Sequence, residues 1–232
     1  MHDPKPNPFP RERIPTHVLG EWQGLIDSMA GVFGVPAGLI TRVDRDRIEI
    51  LLSSATKGNP YKAGCVAQYP DSGWYCERTL AKRALNLIPN ALKSVLWRRN
   101  PAATELGIVS YIGMPIRLPD GGEFGTVCFL DNKANAHNAL HVKMLEHVVR
   151  MLELTLRLLQ AEQEIAQQQS VIGELSRAFP VCAGCGRVRN GSGEWIEAGE
   201  YARSVPGALP TPGKCPRCGK PPEPEHTARR AH

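Results

Sequence analysis

Val109-Ser110-Tyr111-Ile112-Gly113-Met114-Pro115-Ile116-Arg117-Leu118 runs into Pro119-Asp120-Gly121-Gly122, and Gly125-Thr126-Val127-Cys128-Phe129-Leu130 follows. Both arms are rich in β-branched and aromatic residues, which suit a pleated, half-buried surface. The four residues between them are strong turn formers, so the stretch reads as a β-hairpin. Upstream, Ala37–Val43 and Arg47–Ser53 flank Asp44-Arg45-Asp46 and give a second hairpin. Leu85–Pro89 adds a short strand, and Trp74–Arg83 has the length and spacing of a short helix. Leu92–Leu106 reads as one or two helical turns broken at Pro101.

From Thr16 to Phe33 apolar residues recur at Leu19, Trp22, Leu25, Ile26, Met29, Val32 and Phe33. This is helical spacing, with Thr16 as the expected N-cap and Gly34-Val35-Pro36 as the stop. Residues 1–15 hold five prolines and read as a flexible arm. Residues 54–73 are punctuated by Gly58, Pro60, Gly64, Pro70 and Gly73 and carry no apolar period. Loops of that length are often lids or binding loops. The order of helices and strands fits an α+β domain with an antiparallel sheet over residues 16–138.

From about Ala139 the pattern turns helical and stays so to residue 179. Met144, Met151, Leu158, Ile165, Ile172 and Phe179 recur every seven residues, with His147, Leu154, Ala161, Gln168 and Leu175 in the second seam position. The segment Gln160–Gln169 is too polar for burial on all sides, so this helix is expected to leave the domain and pair along one stripe, as a homodimer through residues 140–179. Pro180 is expected to end it.

Four of the seven cysteines then follow as two pairs, Cys182-Ala183-Gly184-Cys185 and Cys215-Pro216-Arg217-Cys218, separated by 29 residues. Each C-x-x-C pair places two thiolates on one side of an ion, and two pairs close the tetrahedron that zinc accepts. Gly186 and Gly219 follow the second thiolate of each pair, where the backbone must turn tightly. Four thiolates leave no open position, so the expected ion is structural Zn2+ in a ribbon over residues 180–219. An iron–sulfur cluster takes the same donors. Between the pairs, Gly191-Ser192-Gly193 reads as a hairpin tip between Arg187-Val188-Arg189 and Glu194-Trp195-Ile196. Residues 220–232 are Pro-rich and charged, and are expected to stay disordered.

At 232 residues the chain has room for one ordinary domain and one small module. The net charge of +5 divides as +2 over residues 1–180 and +3 over 181–232, where eight Lys and Arg face five Asp and Glu. That bias is mild, and nucleic acid is not the expected partner. No stretch reaches the ~18 apolar residues of a membrane span, and MHDPKPNPFPRERIP holds no apolar export segment. The cytoplasm is the expected location.

Residues 16–160 resemble a GAF domain, the small-molecule sensor fold of signalling proteins. The resemblance rests on Ser72-Gly73-Trp74-Tyr75-Cys76-Glu77, Ile88-Pro89-Asn90-Ala91, Ser110–Ile116 and Phe124–Asp131, in family order and spacing. It implies a six-stranded antiparallel sheet with helices on both sides, a ligand pocket on one side, and terminal helices that pair into a dimer. Residues 180–218 resemble the zinc-ribbon-like tail found after sensor domains in bacterial signalling proteins. The reading is a non-enzymatic signal-transduction protein. Its GAF domain senses a small molecule or serves dimerisation, and its ribbon meets a protein partner.

Trp74, Tyr75, Cys76 and Tyr111 are the expected pocket residues, roofed by the 54–83 loop and helix. A cavity of about 300 Å³ or more would mark sensing there, and a filled interior a scaffold. Two other readings follow from the residues. Cys76 with Cys65 or Cys128 would suit a thiol-dependent redox enzyme of the GAF-type methionine sulfoxide reductase kind, although the cysteine spacing departs from that pattern. Arg187, Arg189, Arg203, Lys214 and Arg217 would suit nucleic-acid binding, but Trp195 and Tyr201 alone offer stacking surfaces. His137 and His141 lack a third ligand for a metal.

Overall fold

The computed structural model describes residues 6–204 and 209–213. The chain divides into two compact units, Met1–Ala161 and Glu162–His232.

In the first unit, α1 (Thr16–Phe33) leads into β1 (Ala37–Asp44) and β2 (Arg47–Ser53). Next come β3 (Val66–Gln68), α2 (Tyr75–Lys82), β4 (Asn86–Ile88) and α3 (Pro101–Thr104). The hairpin of β5 (Ser110–Arg117) and β6 (Glu123–Asp131) precedes α4 (Ala139–Arg177). The six strands form one sheet in the order β3-β2-β1-β6-β5-β4, and every neighbouring pair is antiparallel. The two sequence-local hairpins are joined at the centre by β1 against β6, in the register Ile40 opposite Val127.

Successive residues of a strand point to opposite faces, and the sheet uses both. On one face Ile40, Val127 and Phe129 pack against Trp22, Ile26 and Phe33 of α1 and Leu145, Val148, Leu152 and Leu156 of α4. On the other, Leu39, Tyr111, Cys128 and Leu130 pack beneath Tyr75, Cys76 and Leu80 of α2 and Ala102 of α3. With helices on both faces, the central strands read as near-continuous apolar runs. A Cβ on Gly125 would fall on the Thr41 carbonyl, so only glycine lets β6 pass β1 here.

Helix α1 begins one residue earlier than the N-cap reading. Pro15 is extended and supplies the first helical carbonyl, to the Leu19 amide, and Thr16 is already helical. The helix ends at Gly34, whose left-handed φ of 64° closes the last turn.

The N-terminal arm differs from expectation over its described part. Phe9 and Ile14 are buried in the α1/α4 core. The Asn7 side-chain amide donates to the carbonyls of Val43 and Phe124, and Arg11 donates to that of Leu51. Prolines forbid a helix here, but they also leave an extended segment little backbone entropy to lose on docking.

Strand β3 lies inside the segment expected to be loop, where its three residues pair with Arg47, Ile48 and Glu49. Pro101 starts α3 rather than breaking a helix. The Asn100 side chain caps the Ala102 amide at 2.9 Å, and proline is well suited to the first helical position.

The second unit contains a four-stranded sheet in the order β10-β7-β8-β9. Its strands are β7 (Ala178–Cys182), β8 (Val188–Arg189), β9 (Trp195–Ile196) and β10 (Leu209–Gly213), with α5 (Ala198–Ser204) before the last. The expected hairpin is present, with Arg189 opposite Trp195. Helix α4 ends at Arg177, and Pro180 lies within β7. Among the described residues no helix is long and apolar enough to cross a membrane.

Candidate functional site

The turn Asp71–Trp74 sets how α2 meets the sheet. Asp71 and Gly73 take positive φ of 80° and 69°. The Glu77 carboxylate accepts the Asp71 amide at 2.9 Å and the Ser72 hydroxyl at 2.8 Å, and the Trp74 amide donates to Ser72 Oγ at 3.1 Å. Burial raises the Glu77 carboxyl, but these hydrogen bonds outweigh it and hold the pKa below the usual range. The result is a first helical turn that aims Tyr75, Cys76, Thr79 and Leu80 at the sheet. Asn100 joins the entry of α3 to that of α2 by donating its Nδ2 to the Gly73 carbonyl.

Between these two helix starts and the sheet lies a cavity of about 190 Å³. Its floor is Leu39, Ile50 and Leu130. Tyr61, Trp74, Tyr75 and Cys76 form one side, and Pro101, Ala102, Glu105 and Leu106 the other. The lining is apolar except for the Glu105 carboxylate, the tyrosine phenols and the Cys76 thiol. Burial, followed by the Cys76, Cys128 and Tyr75 side chains, pushes the Tyr61 phenol far up, and burial raises that of Tyr75 to about 12. The cavity is smaller than the ~300 Å³ of an ordinary ligand pocket and suits a compact, weakly polar occupant.

Three of the four expected pocket residues, Trp74, Tyr75 and Cys76, stand together on this wall. Tyr111 does not. It is fully buried under α2, with its hydroxyl 2.7 Å from Thr79 Oγ1 and its ring 5.4 Å from that of Tyr75. Its side chain lies over Gly113 of its own strand, where a Cβ would meet the phenol. Tyr111 thus fills interior that a larger pocket would occupy. Tyr61 and the α3 residues were not singled out by sequence. They come from segments 54–73 and 92–106, whose irregular patterns give no facing direction.

The fold also gathers two cysteines that lie 52 residues apart. Cys76 Sγ and Cys128 Sγ are 3.8 Å apart, and both are buried. Hydrogen bonding to Cys128 lowers the Cys76 thiol pKa against its burial, aided by the hydroxyls of Thr126 and Tyr111. Burial, then the bond to Cys76, raises Cys128 well above the ordinary range. Cys65 is exposed, in the loop before β3.

In the second unit Cys182 and Cys185 share one turn. The amides of Cys185 and Gly186 both point to the Cys182 carbonyl, at 3.3 and 2.8 Å, and Gly186 has φ of 71°. This turn fits a pair of thiolates on one ion. Cys215 and Cys218 lie outside the described residues. Among the described residues no group of three His, Cys, Asp or Glu side chains is placed to hold a metal. His137 and His141 stand with ring centroids 5.6 Å apart.

No family model and no curated protein matches the chain. Solved structures do match its fold. The GAF domain of Thermosynechococcus elongatus PixJ, in its blue-light absorbing form, aligns at 16% identity and a TM-score of 0.54. That alignment covers 68% of this chain and 98% of the PixJ domain. Residues 122 to 287 of a methyl-accepting chemotaxis protein align at 17% identity and a TM-score of 0.50, over 62% of this chain and 90% of that one. The chromophore-binding domain of bacteriophytochrome RpBphP3 from R. palustris aligns at 11% identity and 0.53, over 66% and 59%. The first unit therefore has the fold of a GAF domain, with α1 and α4 on one face of the sheet and the cavity on the other.

Proposed function

We propose that this chain is a non-enzymatic signal-transduction protein whose GAF-fold unit senses a small, largely apolar molecule. The cavity between α2, α3 and the sheet supports this reading for a compact ligand only: at about 190 Å³ it falls short of the ~300 Å³ set as the mark of sensing, and Tyr111 fills part of the interior. The cavity is walled by aromatic rings, that of the loop-borne Tyr61 among them, and ligand sites are built in this way. The neighbours in fold include a chemotaxis protein and light-absorbing receptor domains, which agrees with a sensory role. In this reading the output is a binding event. The helix over residues 140–179 pairs two copies, and a ribbon held by structural Zn2+ on Cys182, Cys185, Cys215 and Cys218 meets a protein partner. A cytoplasmic location suits the reduced thiolates that zinc requires.

Thermal denaturation with benzene and indole as probes tests the sensing role. Both should raise the melting temperature of the wild type, and the increase should vanish in Ala102→Leu, which fills the cavity from α3. Native mass spectrometry of protein purified from its own cells should show a retained small molecule. No shift at saturating probe, together with a mass equal to polypeptide plus metal, would leave the unit a scaffold for dimerisation alone.

A further inference from the structure

We propose that Cys76 and Cys128 form a peroxide-responsive dithiol switch at the cavity wall, closing reversibly to a disulfide that ties α2 to β6. Two observations carry it. The thiols already touch across two different elements, 3.8 Å apart. Only one of them, Cys76, borders the cavity, while Cys128 sits behind it on a central strand with no exposed surface. Attack is therefore assigned to Cys76, which an oxidant entering the cavity can reach, and resolution to Cys128. The lowered Cys76 and raised Cys128 thiols agree with that division of roles.

The oxidant is a hydroperoxide small enough for a cavity of about 190 Å³, hydrogen peroxide being the simplest. The Cys76 thiolate attacks one peroxide oxygen, the S–O bond forms and the O–O bond breaks. The departing hydroxide takes the proton that Cys76 has released and leaves as water, giving the Cys76 sulfenic acid. Cys128 then attacks Cys76 Sγ. The S–S bond forms, the S–O bond breaks, and hydroxide leaves with the Cys128 proton as a second water. Two electrons have passed from the thiol pair to the peroxide, and a dithiol reductant returns them. The sulfurs must close from 3.8 Å to about 2.05 Å. That draws the first turn of α2 toward the sheet and narrows the cavity on the Cys76 side. The switch does not require that the cavity also serve a ligand.

The experiment treats the reduced full-length protein with one equivalent of hydrogen peroxide. Remaining thiols are alkylated under denaturing conditions, and the peptides are mapped by mass spectrometry. The expected product is a Cys76–Cys128 cross-linked pair lacking two hydrogens, within a single chain, with both thiols recovered after dithiothreitol. In Cys128→Ser the sulfenic acid should persist at Cys76 and be captured by dimedone, whereas Cys76→Ser should leave Cys128 reduced. Full alkylation of both wild-type cysteines after peroxide, or oxidation confined to the exposed Cys65 or to the ribbon cysteines, would overturn the proposal. The wild-type map decides the matter even if a variant does not fold.

Discussion

His137 holds an imidazole at 7% exposure with no hydrogen-bond partner for either ring nitrogen among the described residues. It sits beside Phe33 and His141, in the connection between β6 and α4. Burial lowers its pKa to about 4, with His141 adding to the effect and Asp131 opposing it. An unfolded histidine titrates near 6.5. Between about 6.5 and 4 the unfolded chain binds a proton that the folded chain does not, so stability falls as pH drops through that window and is whole above it. Urea titrations across pH 4 to 7 should show this slope, and His137→Asn, which tolerates the positive φ of 40°, should flatten it. An unchanged slope would mean that another group titrates. At this scale the sequence displayed less than at any other. Ser72-Gly73 before a helical run announced the α2 entry, and with it Trp74, Tyr75 and Cys76. Nothing local could announce that Cys76 meets Cys128, because a contact across 52 residues is made by the sheet and not by the chain. Nor could Tyr111 be told from a pocket residue, since wall and interior positions share one face of β5.

Helix α4 shows why a correct periodicity can still be half a reading. Its seven-residue repeat is plain in the sequence, but the helix carries two apolar stripes. Leu145, Val148, Val149, Leu152, Leu156 and Leu159 are buried against the sheet. Met151, Leu154, Leu158 and Ile165 of the repeat remain 47%, 56%, 60% and 54% exposed. A stripe of large apolar side chains left in water on a helix of 39 residues is costly unless a second copy covers it. Leu154→Lys with Leu158→Lys places two charges per chain in that seam and leaves the sheet-facing stripe intact. The expected result is a monomer in sedimentation with an unchanged sheet signal in circular dichroism. A wild type that is monomeric at tens of micromolar would remove the seam altogether. Short elements were less legible than this long one. Three residues suffice for β3 because β2 supplies its partner, and a lone Pro101 can open a helix as readily as break one once Asn100 caps it.

Across the whole molecule, the division into two units bears on what removing the proposed metal should do. The GAF-fold unit has two apolar layers on one sheet and its hairpins are local in sequence, so its architecture was readable from turns and alternation. In the second unit, strands β8 and β9 contribute two residues each, and on the proposed reading a bound ion supplies the folding energy that so small a module lacks. Cys182 and Cys185 share one turn, and the proposed ligand set adds Cys215 and Cys218, which lie outside the described residues. Chelation at neutral pH should therefore unfold the second unit and leave the first intact. One zinc per chain is expected by elemental analysis, and Cys182→Ser should abolish it. After chelation, limited proteolysis should strip the chain back toward residue 161 and stop there, while thermal unfolding of the remaining core keeps its original midpoint. Iron in place of zinc would assign the four thiolates to a cluster. Loss of both units on chelation would show that the GAF fold leans on the ribbon for its stability, against the independence that its own two-layered core implies.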